Sequence, residues 1–146
     1  MSENARTLSG VSLTVSDMAK SLAFYRRLGV VIPDESVWPS NENGHHVAVE
    51  MAGGLAFELD SAAMTRSYFP AWSPGAAGIT FIFSVASRQA VDELYNDMTS
   101  AGYTSDVAPF DAFWGARYAV IDDPDDNRVG IMSPMEERFQ SAPPQL

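Results

Sequence analysis

The feature that most constrains the fold of this chain is an internal repeat of a short strand-like pattern. The sequence "GVSLTVSD" begins at Gly10 and "GITFIFSV" begins at Gly78, and a segment with helical spacing of apolar residues follows each. In the first copy Val11, Leu13 and Val15 alternate with polar residues, which is typical of a strand with one buried face. The repeat therefore predicts two structural modules of the same kind.

A helix and three further strands are predicted after each of these opening strands. Asp17 and Ser87 are suitable N-cap residues, and Gly29 and Gly102 are suitable helix ends. The strand candidates lie near Val30–Ile32 and in "HHVAVEM" and "LAFELD" in the first copy, and near Tyr103–Val107 and in "ARYAVID" and "RVGIM" in the second. Both copies are therefore predicted to be βαβββ modules.

The predicted fold class is α+β, with two tandem βαβββ modules that form a curved mixed sheet around a cavity. We predict a single domain over residues 6–134, with modules at 6–60 and 76–134 and a linker at 61–75. Residues 135–146 are predicted to be a C-terminal tail that is partly disordered.

Charge and composition narrow the classes of function. The net charge is −10, so the surface repels nucleic-acid phosphates and attracts cationic small molecules. The chain has no cysteine, which excludes disulfides and thiolate metal sites. No apolar run is long enough to cross a bilayer, and the N-terminus lacks the layout of a secretory signal. We therefore expect a cytoplasmic protein without a membrane or nucleic-acid partner.

Two segments carry a family resemblance. The segments "VSLTVSDMAKSLAFYRRLG" and "FWGARYAVIDDPDDNRVGIM" resemble the opening and closing elements of the vicinal oxygen chelate superfamily. This superfamily includes glyoxalase I, extradiol dioxygenases, and fosfomycin and bleomycin resistance proteins. Together with the repeat, the resemblance covers roughly residues 6–134. It implies the duplicated fold and a homodimer, because related sheets commonly complete their cavity across two chains, but it implies no particular reaction.

The resemblance also assigns four positions to metal ligands. In members with metal chemistry four strands each supply one ligand, and the matching positions here are Gly10, Glu58, Gly78 and Gly130. Only Glu58 retains a ligand side chain. Because divalent metal sites in proteins draw on three or four converging ligands, we expect no cofactor and consider a divalent metal disfavoured.

Few side chains are available for acid–base chemistry. Strand alternation turns His46, Glu50 and Glu58 toward the predicted cavity. There His46 could act as a general base or a weak metal ligand, and the two glutamates could form an acid–base pair. Structural roles stay open as alternatives: a hydrogen-bonded histidine without a function, and glutamates in salt bridges with Arg117 or Arg128.

Large aromatic residues in predicted loops are candidates for binding. Such residues line clefts or subunit interfaces, although packing at a sheet edge is the competing interpretation. In "ARYAVID" the alternation does not decide whether Arg117 or Tyr118 faces the cavity. The candidate ligand-binding residues are Trp38, His46, Glu58, Phe69, Trp72, Phe113, Arg117 and Arg128.

The favoured functional hypothesis is a small-molecule binding protein of the bleomycin-resistance type, without metal catalysis. Its ligand would be a cationic or aromatic antibiotic, and its role antibiotic resistance. The glycines at the ligand positions, the acidic charge and the loop aromatics favour this hypothesis. The alternative is a glyoxalase- or dioxygenase-like enzyme, either a metal-dependent lyase or a metal-free acid–base enzyme, acting on a small substrate. A dimeric scaffold with a closed cavity is the third hypothesis.

Overall fold

The chain forms two compact units, Met1–Pro74 and Gly75–Leu146. The computed structural model describes Leu8 and residues 10–39, 44–68, 70–75 and 79–144. Two residues singled out in the sequence, Phe69 and Gly78, lie outside the described residues. Each unit contains one βαβββ module, so the predicted α+β class is confirmed.

Unit 1 contains a four-stranded mixed sheet, called sheet 1 below. Its strands are in the order β1-β4-β3-β2, with β1 parallel to β4 and the other pairs antiparallel. The elements are β1 (Gly10–Val15), α1 (Met18–Leu28), a 3-10 helix (Asp34–Ser36), β2 (Val37–Trp38), β3 (His46–Glu50), β4 (Ala56–Ser61) and α2 (Ala62–Tyr68).

Unit 2 repeats this topology in sheet 2. Its strand order is β5-β8-β7-β6, and β5 runs parallel to β8 as β1 does to β4. The elements are β5 (Thr80–Ser84), α3 (Arg88–Ser100), β6 (Ser105–Asp111), β7 (Arg117–Asp122), β8 (Arg128–Met132) and a 3-10 helix (Glu137–Phe139). The duplication seen in the sequence is therefore a duplication of the strand order as well.

The two long helices begin where the capping residues predict. The Asp17 carboxylate accepts the backbone N–H of Lys20 at 3.0 Å, and the Ser87 hydroxyl accepts that of Ala90 at 3.1 Å. Each cap satisfies one of the free N–H groups in the first helical turn. Helix α1 ends at Gly29, whose φ of 113° is in the left-handed region that favours glycine.

Removing the first cap gives a test of this local structure. The Asp17→Ala variant is expected to lower the free energy of unfolding by about 1 kcal/mol, because the first turn of α1 loses an acceptor. The exposed Asp34 has a surface ion pair with Arg26 and no capping role for a long helix, so Asp34→Ala is a matched control with a change within about 0.5 kcal/mol. Urea denaturation measures both, and equal losses would contradict the capping role.

The helices cover one face of each sheet. In unit 1, Leu13, Val47 and Leu59 are buried in one row, and the Tyr25 ring of α1 packs on Phe57 with ring centroids 5.0 Å apart. The corresponding buried residues of unit 2 are Val91, Met98, Ala119, Ile121, Val129 and Ile131. Each unit therefore has its apolar core between one long helix and one side of its sheet, and that helix leaves the other side uncovered.

The prediction of a strand near Val30–Ile32 is wrong. Val30 and Ile32 are buried and Val31 is exposed, so the alternation of burial is real. However, the Val30 N–H donates to the Tyr25 carbonyl at the end of α1, and the Ile32 carbonyl accepts the Arg26 guanidinium at 2.8 Å and 3.0 Å. The strand forms later, at β2. Strand β6 also differs, because it extends to Asp111 with two register shifts, past the predicted Tyr103–Val107.

The segment predicted as a linker contains helix α2. The Ser61 hydroxyl at the end of β4 accepts the Met64 backbone N–H at 3.0 Å and so caps the helix start. The sequence predicted a connector because Pro70 and Pro74 follow in the same segment.

Residues predicted to form a partly disordered tail are bound to the rest of unit 2. The Glu136 N–H donates to the Gly115 carbonyl and the Ser141 N–H to the Phe113 carbonyl, both at 3.0 Å. A side chain at Gly115 would collide with the Glu136 carbonyl, which explains the glycine there. In the described ranges, no helix is both long and apolar enough to cross a membrane.

Candidate functional site

Sheet 1 presents a polar face on the side that α1 does not cover. The strand register arranges this face in three rows: Gly10, Ala56 and Glu50; Ser12, Glu58 and Ala48; and Thr14, Asp60, His46 and Trp38. His46, Glu50 and Glu58 share this face, as the alternation predicts. We call these ten residues the polar face of sheet 1.

A buried carboxylate is the centre of the polar face. The side chain of Asp60 is only 6% exposed, and one of its oxygens is 2.6 Å from His46 Nδ1. The other oxygen accepts the Tyr68 hydroxyl at 2.8 Å and, more weakly, the Ser12 hydroxyl at 3.4 Å. Helix α2 supplies Tyr68, and the Thr65 hydroxyl of α2 lies 2.7 Å from that of Thr14. Asp60 is therefore held by partners from three elements besides its own.

The tyrosine on this carboxylate is held in its protonated form. The largest contribution to its pKa, a hydrogen bond with Thr65, lowers it, but the hydrogen bond to Asp60, burial and nearby carboxylates together raise the pKa of Tyr68 above its ordinary value. The reason is that phenolate beside a carboxylate would be repelled, while the phenol donates to it. Tyr68 is therefore a hydrogen-bond donor to Asp60 in the neutral range.

Sheet 2 presents an aromatic face around Gly130. A Cβ atom at Gly130 would lie 2.7 Å from the Tyr118 hydroxyl and 2.8 Å from its ring, so the phenol fills the space where a side chain at 130 would stand. This decides between the two alternatives for β7, because Tyr118 shares the face of Gly130. Arg117 points to the other side, where it binds Asp92 of α3 at 3.0 Å.

Two aromatic rings pack against Tyr118, and a third packs against one of these. The Tyr118 ring centroid is 5.5 Å from that of Trp114 and 6.0 Å from that of Phe110, and Phe113 packs edge-on against Trp114 at 5.2 Å. Phe110 and Phe113 are each more than a third exposed. We call Phe110, Phe113, Trp114 and Tyr118 the aromatic cluster. The exposed parts of Phe110 and Phe113 are accessible to a planar molecule.

Burial affects the ionisation of Tyr118. Desolvation raises the pKa of this phenol above its ordinary value of 10.0, because the phenolate would lose hydration. A raised pKa in the folded state stabilises the protein fully below the ordinary value, and the contribution is lost as the pH rises through the raised pKa.

An alkaline titration checks this direction. Above pH 10 the wild-type free energy of unfolding is expected to fall with pH more steeply than that of Tyr118→Phe, which has no phenol to ionise at this position. The Trp114→Phe variant changes the same cluster and keeps the phenol, so it should keep the wild-type slope. Identical slopes for wild type and Tyr118→Phe would contradict a raised pKa of Tyr118.

The chain matches the model of a known protein family. The profile of the Glyoxalase/Bleomycin resistance protein/Dioxygenase superfamily matches residues 7–131. The chain belongs to this superfamily. No curated protein matches the chain. The superfamily membership agrees with the duplicated module seen in the two units.

Solved structures with a similar fold come from several bacteria. A glyoxalase/bleomycin resistance protein/dioxygenase from Nocardioides has a TM-score of 0.69 and 21% identity, covering 99% of this chain and 92% of that one. A related family enzyme from Burkholderia phytofirmans has a TM-score of 0.70 and 20% identity, covering 88% and 98%. A glyoxalase-related enzyme from Fulvimarina pelagi has a TM-score of 0.74 and 15% identity, covering 89% of each chain. These identities show a shared fold.

Three of the positions that the resemblance assigns to metal ligands lie within the described residues, Gly10, Glu58 and Gly130. Gly10 and Gly130 offer no donor, and Tyr118 fills the space beside Gly130. Glu58 lies on the polar face, in the row between Ser12 and Ala48. Throughout the described ranges no three His, Asp or Glu side chains are grouped so that they could hold a metal ion.

The remaining candidates of this superfamily member are spread over both units. Trp38 is 63% exposed at the end of the His46 row, and Trp72 packs against the Arg66 guanidinium, whose carbon is 5.1 Å from the ring centroid. Arg128 is exposed at the start of β8, on the face of Gly130. The salt bridges suggested for Arg117 with the glutamates are wrong, because its carboxylate partners are Asp92 and Asp111.

The candidate site residues chosen from the sequence do not include five participants, Asp60, Tyr68, Phe110, Trp114 and Tyr118. Asp60 is the partner of His46, and Tyr68 and Phe110 complete the two faces. Alternation does place Asp60 on the face of Glu58, two residues away, so a signal for it existed. Tyr68 gave none, because it belongs to the unpredicted helix α2.

Proposed function

We propose that the protein binds a small planar, cationic molecule on the aromatic cluster of sheet 2, without metal catalysis. The observation that carries this proposal is that the Tyr118 phenol fills the position beside Gly130 and packs there against the rings of Phe110 and Trp114. A planar ligand gains from stacking on such rings, and a cation gains from their negative faces.

The net charge of the whole chain and one polar atom of this face support the same ligand class. The net charge of −10 raises the local concentration of cations over that of anions. In the described part of the chain the Tyr118 hydroxyl has no hydrogen-bond partner, so it can orient a ligand that stacks beside it. In this proposal the protein is a cytoplasmic homodimer that sequesters an antibiotic of the bleomycin type.

A fluorescence titration tests the proposal. The chain has three tryptophans, so the double variant Trp38→Phe/Trp72→Phe retains Trp114 as the sole tryptophan. Bleomycin and the planar cation proflavine are the probes. Both are expected to quench Trp114, whereas naphthalenesulfonate, a planar anion, should not, because the acidic surface repels it.

A substitution within the aromatic cluster tests how much one ring contributes to the affinity for proflavine. Tyr118→Ala is expected to weaken proflavine binding about 2- to 12-fold, which corresponds to the ~0.5–1.5 kcal/mol of an aromatic pair. Trp72→Phe changes a tryptophan of the other unit and should leave the affinity unchanged. If neither proflavine nor bleomycin changes the fluorescence of Trp114, the proposed function loses its support.

The alternative is a glyoxalase- or dioxygenase-like enzyme. Its support is the name of the Fulvimarina pelagi neighbour, a glyoxalase-related enzyme, and the side chains with acid–base capacity on the polar face, His46, Glu50 and Glu58. Elemental analysis of the purified protein separates a metal-dependent form of this enzyme from the binding protein. Stoichiometric zinc, nickel, iron or manganese would favour the enzyme, whereas we expect less than about one ion per ten chains.

A further inference from the structure

The polar face of sheet 1 carries a set of contacts that the proposed function does not use. Asp60 is 6% exposed and His46 is 37% exposed by side chain, so the carboxylate lies inside and the imidazole lies at the surface. The 2.6 Å contact joins the carboxylate to Nδ1. Among the described residues, the second ring nitrogen, Nε2, has no partner.

The contact with Asp60 selects one tautomer of His46. A neutral imidazole has one N–H group and one nitrogen lone pair, and a carboxylate can only accept from it. In the neutral form of His46, Nδ1 therefore carries the hydrogen and Nε2 carries the lone pair. Tyr68 and Ser12 donate to the other Asp60 oxygen, so the carboxylate is held in place from both sides. The result is a fixed hydrogen-bond acceptor at the surface.

The surroundings of this acceptor favour a cation. The polar face contains three carboxylates, Glu50, Glu58 and Asp60, and within the described residues it contains no lysine or arginine. Trp38 stands directly across from His46 in the register and is 63% exposed. Directly opposed residues have their Cβ atoms about 4.5–5.5 Å apart, so an indole and an imidazole are presented to the same ligand.

We propose that His46 Nε2 accepts a hydrogen bond from a protonated nitrogen of a ligand of the aromatic amidine class that lies against Trp38. His46 is the binding residue, and Asp60 is a positioning residue that acts through it. Trp38 supplies an aromatic face for the cation. This inference goes beyond the proposed function, because it concerns unit 1 and stands even if nothing binds the aromatic cluster.

The tautomer is the first part of the test. Nitrogen-15 NMR of the imidazole rings is expected to show His46 with its hydrogen on Nδ1. In Asp60→Asn the amide group can donate to Nδ1, so the hydrogen should move to Nε2. His45, whose Nδ1 lies 2.7 Å from the Ser61 hydroxyl, is the internal control and should not change. A hydrogen on Nε2 of wild-type His46, in either the neutral or the doubly protonated ring, would overturn the proposal.

Binding is the second part, with two probes of equal charge. Benzamidine has N–H donors and trimethylphenylammonium has none. We expect benzamidine to bind the wild type about tenfold more tightly and to shift the His46 and Trp38 resonances. This preference should disappear in Asp60→Asn. It should also disappear in His46→Ala, which keeps the buried carboxylate and serves as the second variant if Asp60→Asn does not fold. Asp34→Asn removes the same charge at an exposed site and should keep the preference.

The outcomes separate this site from the proposed function. Equal affinity for the two probes, or a preference that survives His46→Ala, would overturn the inference. Benzamidine that shifts only resonances of the aromatic cluster would also overturn it, while it would leave the proposed function standing. Shifts confined to His46 and Trp38 would support it, whatever proflavine does at Trp114.

Discussion

Gly130→Ala is expected to lower the free energy of unfolding by about 1–3 kcal/mol and to weaken ligand binding on the aromatic cluster. The added Cβ would lie 2.7 Å from the Tyr118 hydroxyl and 2.8 Å from its ring. Tyr118 packs against Trp114 and Phe110, so its ring cannot move away without loss of those contacts. Urea denaturation measures the stability, and proflavine titration measures the binding.

The other described glycine at a ligand position provides the matched control. A Cβ at Gly10 would meet Ala56 at 3.5 Å, which is an ordinary contact, so Gly10→Ala is expected to be close to neutral. The double variant Tyr118→Ala/Gly130→Ala should lose less than the sum of its single changes, because the collision is absent. Additive losses, or equal effects at Gly10 and Gly130, would contradict the assignment of Tyr118 to this position.

Tyr25→Ala is expected to have the largest effect on stability, about 3–5 kcal/mol. Its ring is completely buried and packs edge-on against Phe24 at 4.9 Å and Phe57 at 5.0 Å. Truncation would leave a cavity between α1 and the covered face of sheet 1. A loss of this size is a large part of the stability of an ordinary domain. Thermal and urea denaturation both report it.

The opposite face of the same sheet provides the contrast. Glu58 lies on the polar face, in the row between Ser12 and Ala48, and Glu58→Ala is expected to change stability by no more than about 0.5 kcal/mol. Similar losses for Tyr25→Ala and Glu58→Ala would mean that the core is not confined to the helix side.

The starts of the long helices and the division of the strands into a core face and a polar face could be predicted from the sequence. Asp17 and Ser87 cap helices as their side chains predict, and the alternation in β1, β3 and β4 sorts core from polar residues correctly. These features depend on neighbours in sequence, so a single chain contains the information. The duplication follows from them, and with it the α+β class.

The features that could not be predicted depend on contacts with other elements, which alternation along one segment does not report. Val30–Ile32 has the alternation of a strand, but its backbone groups are used by the end of α1. The choice of Tyr118 over Arg117 depends on Asp92, which lies on another element. Likewise, the pairing of His46 with Asp60 depends on the register of β3 against β4, and no local pattern fixes it.

A ligand titration with and without metal tests the central claim, which is that the aromatic cluster beside Gly130 recognises the ligand without a metal ion. Proflavine is titrated by calorimetry into EDTA-treated protein and into the same protein supplied with zinc or manganese. We predict dissociation constants equal within about twofold. Binding or turnover of a small substrate that appears only when one metal ion per chain is bound would contradict the account.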